Sequence, residues 1–283
     1  MPYPGFSGLA DPRTTPANDR VAHVSVAEAF PRLQPVAGER RAIRAAIANL
    51  RRDPGSTLDR QAVMGEGVLV LEDRDGWSFG TLERDGYAGW IRSAELGPPL
   101  TANYMLAVRG SHLYASPDIK REAVTPLSFG SRFRIVSETD HFFETSEGCF
   151  VPKPHLRAIE RPFRDPVTVA QLFFGTPYLW GGNSGTGIDC SGLLQAALLA
   201  AGIPCPGDTD LQEAALGTPL DRDETPKRGD LYFWRGHVAI AVDPETLVHA
   251  NAHHMAVACE PIAAATARID AQCGGLVTSR RRL

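Results

Sequence analysis

Among the five cysteines of the sequence, Cys190 stands where a sulfur could act as a nucleophile. It follows a glycine-rich run at 181–189 and opens CSGLLQAALLAAG at 190–202, an apolar stretch ending at Gly202 with Pro204 beyond. That pattern predicts a helix beginning at the cysteine. A helix start presents unpaired N–H groups and about half a positive charge, which stabilise a thiolate and can hold an oxyanion. A buried core thiol is the competing reading, since cysteine is among the most buried residue types. The glycine-rich approach and the small pair Ser191-Gly192 favour an exposed thiol of lowered pKa.

A thiolate needs a proton acceptor, and the acceptor needs something to orient it. His237 opens the run HVAIAV, His249 ends the run TLVH, and Asp243-Pro244-Glu245 between them predicts a hairpin. Antiparallel strands would set the two imidazoles side by side at one edge of a sheet. His237 would face Cys190, and His249 would hold its tautomer as the third member of a triad. His249, His253, His254 and Cys259 form an alternative metal cluster, but their spacing fits no standard zinc pattern. No metal and no organic cofactor is expected. Cys149, Cys205, Cys259 and Cys273 read as packing thiols; an odd, scattered set without a CxxC pair argues against a disulfide framework and fits a reducing compartment.

The elements that must position these residues fall at 161–283. A short helix at 166–174, the cysteine helix and strands at 230–234, 237–242 and 246–249 give an α+β domain, a helix followed by an antiparallel sheet. Upstream the reading is β. Asp-Gly turns at 75–76 and 85–86 lie between aromatic strands, which indicates hairpins. Short strands recur at 104–109, 113–115, 126–136 and 142–151. Two small β-barrels, 40–98 and 99–160, follow an N-terminal arm at 1–39, and their similar layout suggests a divergent internal repeat. Within the first barrel, 40–53 suits either a helix or a strand.

Composition narrows the partners. Hydrophobic residues make up 43% of the 283, and 29 basic against 33 acidic side chains leave a formal charge of −4. Such a surface does not attract nucleic acid or an anionic membrane. Arg280, Arg281 and Arg282 read as a solvated tail. No run approaches the ~20 apolar residues that span a bilayer. The first 20 residues lack the apolar core of a signal peptide, so a cytoplasmic protein is expected. The sequence leaves the oligomeric state open, with a monomer favoured.

PYLWGG at 177–182, DCSGL at 189–193, GD at 229–230 before LYFW, and GHVAIAV at 236–242 resemble the NlpC family of papain-like cell-wall cysteine peptidases. His249 falls twelve residues after His237, as the third catalytic residue does in γ-glutamyl-specific members of that family. The likeness covers about 163–260. LRRDP at 50–54, QAVMGE at 61–66 and DGYAGW at 85–90 resemble, less specifically, the bacterial SH3-like barrels often joined to such a domain. The fold implied is a papain-like peptidase domain behind two SH3-like barrels.

The resemblance implies more roles. Tyr178 matches the tyrosine whose hydroxyl joins the Cys190 backbone N–H at the oxyanion site, and Ser191 would bind the substrate backbone. Asp208 and Thr209 match an acid–hydroxyl pair that holds the free amino terminus of a short muropeptide, although Gly207 stands where relatives often carry arginine. Glu66 and Tyr87 of the first barrel are candidates for closing the site over that amino end. The implied activity is hydrolysis of the γ-D-glutamyl–L-diamino acid bond in peptidoglycan-derived peptides with free N-terminal L-Ala, in cell-wall recycling. Its rivals are an exported hydrolase acting on intact wall and a non-catalytic wall-binding protein.

Overall fold

The computed structural model describes residues 11–221, 223–273 and 275–283, so the first ten residues of the arm lie outside it, as does the Cys273 side chain. The chain divides into two compact units, Met1–Glu160 and Arg161–Leu283.

The first unit is almost entirely β. The ambiguous stretch at 40–53 resolves into strands Glu39–Ile43 and Ile47–Arg51, because Ile43, Ala48 and Leu50 are needed as inward residues of a barrel. They join a seven-stranded sheet whose core holds Val68, Val70, Leu82 and Ile91. The hairpin between Gly67–Arg74 and Trp77–Leu82 turns at Asp75 (φ +51°) and Gly76 (φ +78°), the two left-handed positions that a tight hairpin turn demands. The arm is not free. Val21 and Val36 pack with Leu71, Trp77, Phe79 and Trp90, and the Ala88 N–H donates to the Arg13 carbonyl.

A second small barrel is built around Leu106, Leu113, Leu127, Phe133 and Val151. Each barrel ends in the same succession of elements. Ala88–Arg92, a single 3-10 turn and Leu96–Gly97 in the first are matched by Phe150–Pro152, a 3-10 turn and Leu156–Ala158 in the second. Leu96 and Leu156 even share backbone angles, near φ −102° and −105°. The barrels meet at Gly65, where a Cβ would lie 2.1 Å from the Arg132 carbonyl oxygen.

In the second unit, α1 (Pro166–Leu172) and α2 (Cys190–Ala200) pack on one another, and α3 is Thr209–Ala215. The main sheet runs, in spatial order, Thr218–Pro219, β5 (Ser279–Arg282), β1 (Leu231–Trp234), β2 (His237–Ala241), β3 (Thr246–Asn251) and β4 (Ala256–Pro261). One face is covered by α4 (Ile262–Cys273), whose Ala265 and Ile269 pack on Tyr232, Trp234, Ala239, Ala241 and Leu247.

The arginine run corrects the sequence reading. Arg280, Arg281 and Arg282 are no solvated tail but most of β5, paired along β1. Arg282 donates to both oxygens of the buried Asp230 at 2.8 Å, and Arg280 lies over the Tyr232 ring at 5.1 Å. Charge alone suggested solvent; a buried acid and an aromatic face supply the partners that let these cations enter a sheet.

Candidate active site

Cys190 is the first residue of α2, and Asp189 caps the helix. One oxygen of Asp189 accepts from the Gly192 N–H at 2.6 Å and from the Ser191 hydroxyl at 3.0 Å, while the other accepts from the Gly181 N–H at 2.9 Å. A single carboxylate therefore ties the 177–182 loop to the nucleophile's helix. The fit leaves no room at Gly192, where a Cβ would stand 2.4 Å from the Gly182 carbonyl oxygen. Ser191 takes part in the same tie. Its side chain is buried with its hydroxyl directed at Asp189, so the residue braces the helix start.

The thiol is buried as well, at 7% exposure, not exposed as the glycine-rich approach suggested. Its neighbours are polar. The Val238 backbone N–H reaches the sulfur, which sets the start of β2, and so His237, beside the start of α2. Thr209 Oγ1 lies 3.8 Å from Sγ. The expected lowering of the thiol pKa is also corrected. Burial, and then the Asp189 anion, push it up to about 11, against the pull of hydrogen bonds from Val238, Thr209 and Ser191. The local helix-start argument missed the desolvation imposed by β2 and α3.

His237 and His249 lie on one face of the sheet with ring centroids 5.1 Å apart, and His237 Nε2 is 2.8 Å from His249 Nδ1. The rings are diagonal neighbours, since β2 and β3 pair as Ile240 with Val248 and Ala241 with Leu247. Burial drives the His237 imidazole down to about 3, with His249 and Arg268 adding to the effect. His249, fully buried, is lowered chiefly by burial, against the pull of Glu260. Thiol and base are thus both neutral over the physiological range. A neutral imidazole keeps one nitrogen lone pair that can accept a proton.

Tyr178 is half-buried at the mouth of the 177–182 loop, held by its N–H donating to the Met255 carbonyl at 2.9 Å. Its phenol is pushed upward by burial and then by the charges of Cys190 and Asp189, so it stays a hydrogen-bond donor beside the sulfur. Asp208 precedes α3 at φ +44°, a strained left-handed setting for a non-glycine residue. Glu66 and Tyr87 belong to the first unit and are buried there. Glu66 accepts from Arg84 Nη1 at 2.8 and 2.7 Å and from the Val63 N–H at 2.9 Å, and Tyr87 lies beneath the Arg60 guanidinium at 5.4 Å.

Two residues escaped the sequence reading. Gln212, fully buried on α3, donates to the Ser191 carbonyl at 2.9 Å and the Pro206 carbonyl at 3.1 Å, locking Thr209 over the nucleophile. Its place one turn after Thr209 is the only signal it offers. Glu260 on β4 accepts from His249 Nε2 at 2.7 Å and pairs with Arg268 of α4. Burial works against its ionisation, but those two hydrogen bonds hold the carboxyl below its usual range. Its signal is its place two residues beyond Ala258, which pairs with His249.

Residues 175–268 match the NlpC/P60 family, and 50–96 match the bacterial dipeptidyl-peptidase SH3 domain. Among curated proteins, the chain is 28% identical over 200 residues to the γ-D-glutamyl-L-lysine dipeptidyl-peptidase of Bacillus subtilis strain 168, covering 63% of this chain and 64% of that one. It is 40% identical over 93 residues to dipeptidyl-peptidase 6 of Lysinibacillus sphaericus, covering 32% of this chain and 34% of the relative. The chain thus spans slightly under two thirds of the first relative and about a third of the second. Among solved structures, an NlpC/P60 family protein from Bacillus cereus ATCC 10987 superposes with a TM-score of 0.74 at 20% identity, covering 86% of this chain and 99% of the other. That likeness extends the shared fold across both units.

Proposed function

Because residues 175–268 match the NlpC/P60 family, we propose that this chain is a cysteine peptidase of that kind, hydrolysing the γ-D-glutamyl–L-diamino acid bond of peptidoglycan-derived peptides bearing a free N-terminal L-Ala. The observations that carry the reading are the buried thiol at the start of α2, with the Val238 N–H on its sulfur, and the His237–His249 pair that begins one residue before Val238, joined in one chain to a match for an SH3 domain of the dipeptidyl-peptidase type.

Cys190 Sγ attacks the γ-carbonyl carbon while its proton passes to His237. The oxyanion is held by the Tyr178 hydroxyl and the backbone N–H at the helix start. Collapse breaks the C–N bond, and the departing amine of the diamino acid takes the proton from His237. Water, activated by the same imidazole, then hydrolyses the thioester and releases the acyl dipeptide. Asp208 and Thr209 are the proposed holders of the substrate ammonium. The strained backbone at Asp208 supports this, because strain of that kind is characteristic of ligand clamps. A carboxylate facing a primary ammonium accepts a free amino terminus and rejects a continuing chain.

We place this activity in recycling of released wall peptides within the cytoplasm, which subcellular fractionation tests. Mass spectrometry of products from L-Ala-γ-D-Glu-L-diamino acid tripeptides, free or N-acetylated, tests the chemistry. Free tripeptide should yield the dipeptide and the diamino acid, with acetylated substrate and the Cys190→Ala variant inert. Equal cleavage of the acetylated peptide, or a preference for intact sacculi, would overturn the specificity. Full activity in Cys190→Ala would overturn the mechanism.

A further inference from the structure

We propose that Glu260 is a positioning residue of the peptidase, fixing the protonation pattern of both histidines from the far side of the sheet edge. The proposal rests on the cysteine-peptidase reading above, though not on the identity of the substrate.

The inference follows from proton positions. Glu260 Oε1 faces His249 Nε2 at 2.7 Å and also receives Arg268 Nη2. A carboxylate beside a guanidinium is ionised and can only accept. His249 must then carry its hydrogen on Nε2, which leaves Nδ1 of the neutral ring as an acceptor. That Nδ1 lies 2.8 Å from His237 Nε2, so His237 donates from Nε2. The lone pair of His237 is thereby left on Nδ1, the nitrogen that takes the thiol proton in the proposed reaction.

Without the carboxylate, His249 can hold its hydrogen on Nδ1 and donate it to His237. The His237 hydrogen then moves to Nδ1, where that ring cannot serve as a base. Register explains the reach. Ala258 opposes His249 and Glu260 opposes Leu247, so Glu260 sits one diagonal step from His249 on the same face. Helix α4 delivers Arg268 to that spot, and the Glu260 and Arg268 side chains are only 10% and 18% exposed. The titratable or charged groups facing His249 are His237, Glu260, Arg268 and, 3.8 Å from Glu260 Oε1, His254. When the thiol proton reaches His237, the new positive charge is stabilised by the anion behind it.

The test uses the full chain and its Glu260→Gln and Glu260→Asp variants. It reads kcat and KM on the free tripeptide, the melting temperature, and the pH profile of Cys190 alkylation by iodoacetamide, followed on the Cys190 peptide by mass spectrometry. Glu260→Gln should lower kcat by about 10- to 100-fold, the range seen when a residue orienting a functional histidine is lost, with KM within about twofold. Its alkylation profile should move to higher pH, with Glu260→Asp lying between it and wild type. An unshifted profile with kcat unchanged, or reduced only in proportion to the folded fraction, would overturn the proposal. If Glu260→Gln does not fold, Glu260→Asp decides by the same criterion, since its shorter arm draws the carboxylate from His249. A wild-type chain that cleaves no tripeptide while Glu260→Gln still shifts the alkylation profile would sink the substrate assignment and leave the relay standing.

Discussion

Each unit buries a carboxylate against an arginine, and the two pairs have different consequences. In the first barrel, Glu66 meets Arg84 at 2.7 Å, with side chains 8% and 4% exposed and the nearby Asp85 only 1% exposed. In the second unit, Glu260 meets Arg268 in a similarly dry setting. The barrel pair also ties down the Val63 N–H and so fixes a turn. The sheet pair instead has a neutral imidazole on the same oxygen, with a second imidazole behind it. A buried ion pair by itself contributes little net stability, whereas breaking one is costly. What separates a brace from a catalytic support is whether a titratable base shares its acceptor.

The contrast can be broken at several points, beginning with the base. His237→Ala should reduce kcat on the tripeptide by about 10^3- to 10^4-fold, read by steady-state kinetics, while leaving the melting of the first unit untouched. Next comes the brace. Glu66→Gln breaks a buried ion pair, leaving the Arg84 guanidinium with Asp85 and the Gln61 carbonyl, and should destabilise the chain by about 3 kcal/mol in denaturant titration, with kcat of the folded protein preserved. A rise in KM for the free tripeptide with no loss of stability would instead make Glu66 a substrate residue.

Acid probes the imidazoles behind the second pair. His237 titrates near 3 in the folded chain, far below the ordinary histidine value, so the unfolded state binds the extra proton between them. Stability should therefore fall as pH drops from about 6.5 towards 3, by as much as a few kcal/mol. His237→Gln should flatten that slope in urea midpoints measured across the range, and an unchanged slope would locate the acid lability elsewhere. The smallest effect is at the cap. Asp189→Ala should cost about 1–2 kcal/mol of stability through the lost helix cap, measured by thermal melting. It should also lower kcat, because the 177–182 loop loses its tie.

The legible parts of the site were those carried by contiguous residues. The run at 189–193 forms a capped helix start, and the runs at 237–241 and 246–251 are adjacent strands. The Asp75-Gly76 turn was plain from its chemistry alone. What escaped depends on tertiary neighbours. Glu260 lies in AVACEP, where an exposed Cys259 breaks the apolar alternation and hides the strand. The burial of Cys190 comes from β2 and α3, which arrive from 20 to 50 residues away in sequence. The arginines of β5 carried no apolar signature, and what explains them is the fully buried Asp230 just before β1 together with the Tyr232 ring.

That placement of β5 has a bearing on how the protein is made. Residues 279–282 lie between Thr218–Pro219 and β1, inside the sheet's edge, although they are synthesised after every other strand of it. A ribosome-bound chain lacking them leaves the Asp230 carboxylate without Arg282 and both flanking strands with an open edge. The thiol's own helix and hairpin can form before β5 is available, yet Thr218–Pro219 joins the sheet only through that strand.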